Sequence, residues 1–550
     1  MIIDTYTMKK IVVLLSLAVL MAVSPGAAAQ KKTDGVRPPT MGWSSWNAFM
    51  LEISDAVIMD HADLMVSTGL KDAGYTIVNI DDGFFGYRDA EGNMIPHVTR
   101  FPNGIKHVVD HIHGLGLRAG IYTDAGEMTC GRNYNKEINP APVGIYGHEE
   151  QDAERYFNEW GFDFIKIDYC GGHRMQADEE QMYTNIRNVI NRVAKHPVEL
   201  NICRWDYPGT WVSGVSESWR ISGDIRPKWA FIRNIVAKNM YLSAYAGGGH
   251  YNDMDMLALG YNKKPSPFND NLPLGLTYEE EEAHFGLWCI FSSPLLLGCD
   301  VRYIPEETMK IITNPELIAV NQDPLGLQAY VVQHEGEGYI FAKDILTRFG
   351  KVRAVALYNP SEEDITFTLR PEEIDLAGPI KVRDLCARKD LGTGSSLQMT
   401  LHGHSAKILR VEGRRRLEQT ALEAEWGYCP AFTAIESEGG KYVPTPAASM
   451  GAAVYNLGGS AENCLQWNDV YSAGGKYHLT LTTLPEKDAE IVLTVNGAAQ
   501  TLRIPAAGGK PQKTTVAVKL RKGQNRIEVG NPDAALPPVD RVTLERGSSR

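Results

Sequence analysis

Between residues 38 and 323 the chain repeats one pattern: a short apolar run ending in polar or acidic residues, then a stretch with helical periodicity. The runs cover residues 41–46, 75–81, 118–124, 162–168, 198–203, 218–222, 242–246 and 293–298. Between them, residues 148–160, 181–194 and 278–291 carry apolar side chains at helical spacing. A strand covered by helices on both faces reads as a nearly unbroken apolar run, the signature of a parallel sheet. Eight such units predict a (β/α)8 TIM barrel over residues 37–323. The alternative is an open doubly wound sheet. It is disfavoured because no Gly-x-Gly-x-x-Gly turn follows the first run.

After Asn321-Gln322-Asp323-Pro324-Leu325-Gly326 the texture changes to short strands separated by turn residues: 330–332, 338–343, 352–358, 365–369, 382–384, 397–401 and 406–411. They predict a small antiparallel β-sandwich over residues 324–412. Past the basic break Gly413-Arg414-Arg415-Arg416, strands at 477–482, 490–496, 514–520 and 525–529 predict a further C-terminal β-sandwich over 420–547. Its Gly-Gly pairs at 439–440, 458–459 and 474–475 are read as turns.

The amino terminus has the composition of a secretory signal peptide. Lys9-Lys10 precedes an apolar run, 11–23, which closes on Pro25-Gly26-Ala27-Ala28-Ala29-Gln30, so cleavage after Ala29 is expected. The run is shorter than the roughly 20 residues of a membrane span, and no cysteine stands at the cleavage site. An exported protein, periplasmic or extracellular, without a stable membrane anchor is therefore expected. The eight cysteines are too few for a disulfide scaffold in 550 residues, and none forms a Cys-x-x-Cys zinc pair. A net charge of −12 argues against a nucleic-acid partner. The sequence leaves the oligomeric state open.

In a barrel of this kind reactive groups stand at the carboxyl ends of the strands. Those ends supply Trp46, Asp81-Asp82, Tyr122 with Asp124, Lys166 with Asp168, Cys203 with Arg204, Arg220 with Asp224, and Asp253 with Asp255. Carboxylates after buried runs are costly unless paired or used. A rim of carboxylates, a few cations and several aromatics suits a sugar, whose hydroxyls need fixed partners and whose apolar face packs on a ring. Magnesium-dependent phosphoryl transfer would also use carboxylates, but no phosphate-cradling glycine loop is present. Histidines at zinc spacing are absent from the rim.

Met41-Gly42-Trp43-Ser44-Ser45-Trp46-Asn47, Ile80-Asp81-Asp82-Gly83, Arg100-Phe101-Pro102-Asn103-Gly104, Gly120-Ile121-Tyr122-Thr123-Asp124, Lys166-Ile167-Asp168-Tyr169-Cys170, Trp219-Arg220 through Asp224, and Asn252-Asp253-Met254-Asp255-Met256 occur in this order. Together they resemble glycoside hydrolase family 27, the alpha-galactosidase family. The resemblance implies a retaining exo-glycosidase that releases terminal alpha-D-galactose from oligosaccharides or polysaccharides with no catalytic cofactor. It implies Asp168 as nucleophile and Asp224 as acid/base, whose carboxyls should stand roughly 5–5.5 Å apart. Trp46, Asp81, Asp82, Tyr122, Lys166, Arg220, Asp255 and Met256 match sugar-binding residues, and Cys130 and Cys170 a disulfide beside the pocket. Lys166, two residues before Asp168, shares its side of the strand, and an ammonium there is expected to lower the Asp168 pKa. Asp224 could instead cap a helix beginning near Pro227.

One position departs from the family pattern. Where many relatives have Cys-Glu-Trp near the sugar's 2-position, this chain has Cys203-Arg204-Trp205, which exchanges an acceptor for donors. Arg204 pointing inward would alter preference there; pointing away, it leaves Cys203 and Trp205 to meet the sugar. Beta-L-arabinopyranosidase and alpha-N-acetylgalactosaminidase activities remain alternatives on the same scaffold, and a non-catalytic sugar-binding protein is a third reading. The C-terminal segment, through Leu422-Glu423-Ala424-Glu425 and Pro538-Val539-Asp540-Arg541, resembles carbohydrate-binding modules of families 35 and 6. That resemblance implies structural calcium at Glu423, Glu425 and Asp540, with Trp467 either a sugar platform or core.

Overall fold

The computed structural model describes residues 36–134, 142–261, 275–435 and 439–547; the expected signal peptide lies outside them. Strands β1 (Met41–Ser44), β2 (Ile77–Ile80), β3 (Arg118–Asp124), β4 (Phe164–Asp168), β5 (Glu199–Ile202), β6 (Ser218–Arg220), β7 (Tyr251–Asp253) and β8 (Leu295–Leu297) form one parallel sheet in the order β8-β1-β2-β3-β4-β5-β6-β7. The ring closes where Leu257, just after β7, donates its amide to Leu296 O at 2.7 Å, and Gly298 donates to Leu257 O. These strands are buried along almost their whole length, which is why their sequences lack a polar face. Packing is tight enough to demand glycine at position 42, where an added Cβ would stand 2.3 Å from Ile77 O.

Helix ends follow local chemistry. Ser54 accepts from Val57 N to cap Asp55–Ser67, and Thr277 with Glu280 forms a reciprocal capping box on Tyr278–Ile290. The second of these helices is buried nearly all round because the next domain covers its outer side: Gly286 abuts Ile408. That domain is a six-stranded antiparallel sheet facing the pair Ile365–Leu369 and Leu397–Leu401. Period-two alternation in Gly338–Asp344 sends Ile340 and Ala342 into its own core and Phe341 and Lys343 toward the barrel. Lys343 is buried there and donates to Ser292 Oγ at 2.7 Å and Val320 O at 2.9 Å.

Residues 421–546 form a further antiparallel sheet built on two strands of nineteen residues, Leu465–Thr483 and Gln512–Gly530, paired along their length. Two expectations are corrected here. The runs 514–520 and 525–529 are parts of one strand, and Gly474-Gly475 is a positive-φ irregularity inside a strand rather than a hairpin turn. The barrel also differs from its sequence reading at one place. Residues 242–246 are not a strand; Ser243–Tyr245 is a 3₁₀ turn, and the strand is β7, after the Gly247-Gly248-Gly249 turn. The run is apolar for another reason: Tyr245 packs on Tyr428 and Phe432 of the C-terminal sheet, with ring centres 5.2 and 5.1 Å apart.

Candidate active site

The strand ends converge on a cavity of about 460 Å³, within the range of small-molecule sites, roughly 300–1,000 Å³. Trp46, Asp81, Asp82, Tyr122 and Lys166 line it from β1 to β4, with Asp168 at the end of β4. Cys203, Trp205, Arg220, Asp224, Asp255 and Met256 complete it from the β5 to β7 side. Asn47, Met50 and Arg226 also line it, and sequence reading missed them. Asn47 and Met50 follow Trp46 on the turn of helix that starts there, and Arg226 follows Asp224 by two, so proximity to a named residue was their only signal.

Parallel register explains the first cluster. Tyr122 pairs with Lys166 and Asp124 with Asp168 across β3 and β4, so four polar groups share one corner. Tyr122 donates its hydroxyl to Asp168 Oδ2 at 3.1 Å, and Tyr169 N donates to Oδ1 at 2.9 Å. The Cys130–Cys170 disulfide, Cα–Cα 5.2 Å, lies against the same carboxylate, with Cys130 Sγ 3.0 Å from Oδ2. Asp124 accepts from Gly126 N and Gly171 N, bracing the turn after β4 rather than entering the cavity.

Lys166 does not pair with Asp168. Its ammonium donates to Asp81 Oδ2 at 3.0 Å, an oxygen that also accepts from Ser44 and Asn79. Burial disfavours the ammonium, but Asp81, together with Cys203 and Asp168, more than offsets it, and Lys166 stays protonated. Asp168 departs from expectation accordingly: burial raises its pKa, and the more distant ammonium only partly offsets this. Burial also lifts Asp82 to about 7, although Gly131 N and Gly83 N donate to its carboxylate at 2.8 Å.

Across the cavity Arg220, only 3% exposed, donates to Ser222 O and Asp224 Oδ1 and lies 3.0 Å from Asp255 Oδ2. Asp255 has φ +76, an unusual backbone for this residue, held by Ile225 N and Met256 N donating to its carboxylate. The Asp224 side chain remains 64% exposed. Burial raises its pKa, but the charge and hydrogen bond of Arg220, with the charges of Lys166 and Arg226, together lower it further, so the net shift is downward. It caps no helix: Trp229–Asn239 begins after Lys228. Besides burial, the charges of Asp224 and Asp81 raise the Asp168 pKa, and Asp168 in turn raises that of Asp124, so these acids titrate as a linked set.

Arg204 is the one predicted sugar contact that does not line this cavity. Its Nε donates to Glu179 at 2.8 Å, and the guanidinium packs on the rings of Tyr169 (4.9 Å) and Trp205 (5.2 Å). A guanidinium with a carboxylate partner and two ring faces is better satisfied there than among hydroxyls. Cys203, a buried thiol whose pKa burial pushes well up, stands with Trp205 at the wall.

The C-terminal carboxylates lie elsewhere. Ser449 Oγ bridges Glu423 and Asp540, while both oxygens of the buried Glu425 have no hydrogen-bond partner. Burial raises Glu425 to about 8. Trp467 is core, 4% exposed, its indole donating to Glu423 O. Among the described residues, only Asp124, Cys130, Asp168 and Cys170 bring ligand-type atoms all within 4.8 Å of one another, and there the sulfurs are joined to each other.

Residues 38–323 match the family described as alpha galactosidase A, and residues 348–411 the alpha galactosidase C-terminal beta sandwich domain. Alpha-galactosidase 3 of Arabidopsis thaliana is 39% identical over 68% of this chain and 81% of its own length. The crystal structure of alpha-galactosidase I from Mortierella vinacea is 31% identical, with a TM-score of 0.61 over 69% of this chain and 98% of that one. A Saccharomyces cerevisiae alpha-galactosidase solved with raffinose is 25% identical, with a TM-score of 0.57 over 68% of this chain and 97% of that one.

Proposed function

The chain belongs to the alpha-galactosidase family, glycoside hydrolase family 27, and from that premise we propose how its cavity divides the work. It is a retaining alpha-galactosidase whose substrates are galactose-containing oligosaccharides, and the chemistry needs no catalytic cofactor. In the proposed first step an Asp168 oxygen bonds to the anomeric carbon as the bond to the leaving oxygen breaks, and Asp224 gives that oxygen its proton. In the second, Asp224 takes a proton from water, whose oxygen bonds to the same carbon and releases Asp168. Two displacements restore the original configuration.

The observation that carries this reading is the different surroundings of two carboxylates in one cavity. Asp168 is enclosed, with Tyr122 and the Tyr169 amide fixing its oxygens. Asp224 keeps an exposed face, which in this reading meets the leaving group. A bound glycoside covers that face and, with Asp168 still ionised, raises the Asp224 pKa toward the protonated form required of an acid. Once Asp168 is esterified its charge is gone, and Arg220 pulls the Asp224 pKa down as a base requires. Asp81, Asp82, Lys166, Arg220 and Asp255 serve as hydroxyl partners, and Trp46 as a half-buried apolar platform.

Galactose is favoured over N-acetylgalactosamine by the wall at Cys203 and Trp205. The Trp205 indole stands at the cavity wall with Arg204 packed on its ring, and in this reading it excludes an acetamido group at the sugar's 2-position. Rates on p-nitrophenyl alpha-galactoside, alpha-N-acetylgalactosaminide and beta-L-arabinopyranoside test this directly. The first should dominate, and a dominant rate on either of the others overturns the sugar assignment.

In this reading residues 37–323 are the catalytic unit, 324–412 its sandwich, and 420–547 a domain of the family 35 and 6 binding-module kind. Glu423, Glu425 and Asp540 would hold a structural calcium ion, supported by the unpartnered, buried carboxylate of Glu425 beside two further buried acids. Chelation with EGTA is expected to lower Tm by about 2–4 °C, and Glu425→Gln should remove the response; identical melting with and without chelator counts against the ion. Export to the periplasm or medium is supported by the disulfide, which persists in oxidising compartments.

A further inference from the structure

The wall at the sugar's 2-position is not held by the barrel alone. After β5 the chain leaves the rim at Cys203 and passes through Trp205 to a 3₁₀ turn, Thr210–Gly214, before reaching β6. A connection of this length is entropically costly to order unless something packs on it. Beneath Trp205 the barrel supplies Arg204 and the edge of His173, 6.1 Å away. Two residues further on, the partner is the C-terminal domain.

Tyr207 is buried and stacks on Phe432 with ring centres 5.3 Å apart and planes 15° from parallel. Ala434 N donates to Tyr207 O at 3.0 Å, and Thr210 Oγ1 donates to Pro430 O at 2.8 Å. Behind Phe432, Tyr245 of the barrel accepts from Cys429 N at 3.1 Å and shares a hydroxyl contact of 2.9 Å with Tyr442. So one segment, 429–434, grips both the loop after β5 and the turn before β7. None of its residues lines the catalytic cavity.

We propose that the C-terminal domain positions the active site: through Phe432 and the 429–434 segment it fixes the loop that carries Trp205 against the sugar. This rests on the reading of the cavity given above. Asp206 is tied separately to the barrel, by Lys238 at 2.8 Å and by an antiparallel bridge to Ser222 near Asp224. The acid/base has its own anchor in the barrel, Arg220 at the end of β6, which donates to Asp224 Oδ1 at 3.1 Å. Loss of the clamp should loosen the binding wall and spare the chemical step.

The test is Phe432→Ala in the full chain, with kinetics on p-nitrophenyl alpha-galactoside, calorimetric binding of galactose, and a melting curve showing the variant folded at the assay temperature. KM and the galactose Kd should rise about tenfold while kcat changes by less than about threefold. Phe432→Tyr, which keeps the stacked ring, should restore both constants. Thr210→Val, which removes only the hydrogen bond to Pro430, should shift them the same way by less, and it decides the matter should Phe432→Ala not fold. A folded Phe432→Ala enzyme with unchanged KM and Kd overturns the proposal, as does a fall in kcat with KM unmoved. If the wild type fails to turn over the galactoside, it is the underlying reading that fails.

Discussion

Replacing Asp168 with alanine is expected to lower kcat on p-nitrophenyl alpha-galactoside by roughly 10⁵-fold, since removing a covalent nucleophile leaves only binding and electrostatic catalysis. The fold should survive, because the neighbours of Asp168 have other anchors: the disulfide, the Asp124 contacts to Gly126 and Gly171, and the β3–β4 ladder. Azide fits the space vacated and attacks from the face the carboxylate used, so the rescued product should be beta-galactosyl azide. The wild-type pH profile carries the same signature. Burial raises the Asp168 pKa, and the nucleophile must be ionised, so kcat/KM should fall on acidification through a pKa above the ordinary aspartate value of about 3.9. Removing the ammonium with Lys166→Met raises that pKa further and moves the acid limb to higher pH. Retention of near-normal turnover by Asp168→Ala would falsify the assigned mechanism.

Asp224→Ala carries the second large effect, about 10²–10⁴-fold in kcat, the usual worth of general acid–base catalysis. The size should depend on the leaving group. A nitrophenolate departs without a proton, whereas the sugar alkoxide released from raffinose cannot, so the loss should be far greater on raffinose. With the nitrophenyl substrate the enzyme should instead stall at the covalent stage, because no base activates water. Azide, which needs no base, should then restore turnover and yield alpha-galactosyl azide, the opposite anomer from the Asp168 variant. Equal losses on both substrates would remove Asp224 from the acid role. The free carboxyl is exposed and held low by Arg220, so its acid function depends on the substrate covering it.

Local chemistry made much of the barrel legible. Residues 77–80 and 164–168 are buried on both faces, and that burial is written directly as apolar runs ending in acids. Residues 242–246 misled for the same physical reason: apolarity reports burial, not the partner, and here the partner is another domain. Carboxylates at 81, 82, 168 and 255 could be placed around one cavity because each stands at or just past the carboxyl end of a barrel strand, where the reactive groups of such a barrel gather. The pairing among them could not, since it depends on neighbouring strands.

The amino-acid sequence by itself determined the eight-unit barrel, the antiparallel domains that follow it, and which acids and aromatics stand at the rim. These are consequences of short-range periodicity and of the cost of burying charge without a use. Only the tertiary structure decided that Lys166 binds Asp81 and leaves Asp168 to the influence of burial, and that Arg204 turns behind Trp205 to meet Glu179. It also decided that a domain more than two hundred residues further along the chain grips the loop beside the sugar pocket, as the Thr210–Pro430 separation of 220 residues records. Each depends on groups brought together from distant parts of the chain, where distance and dielectric set the outcome and residue type alone does not.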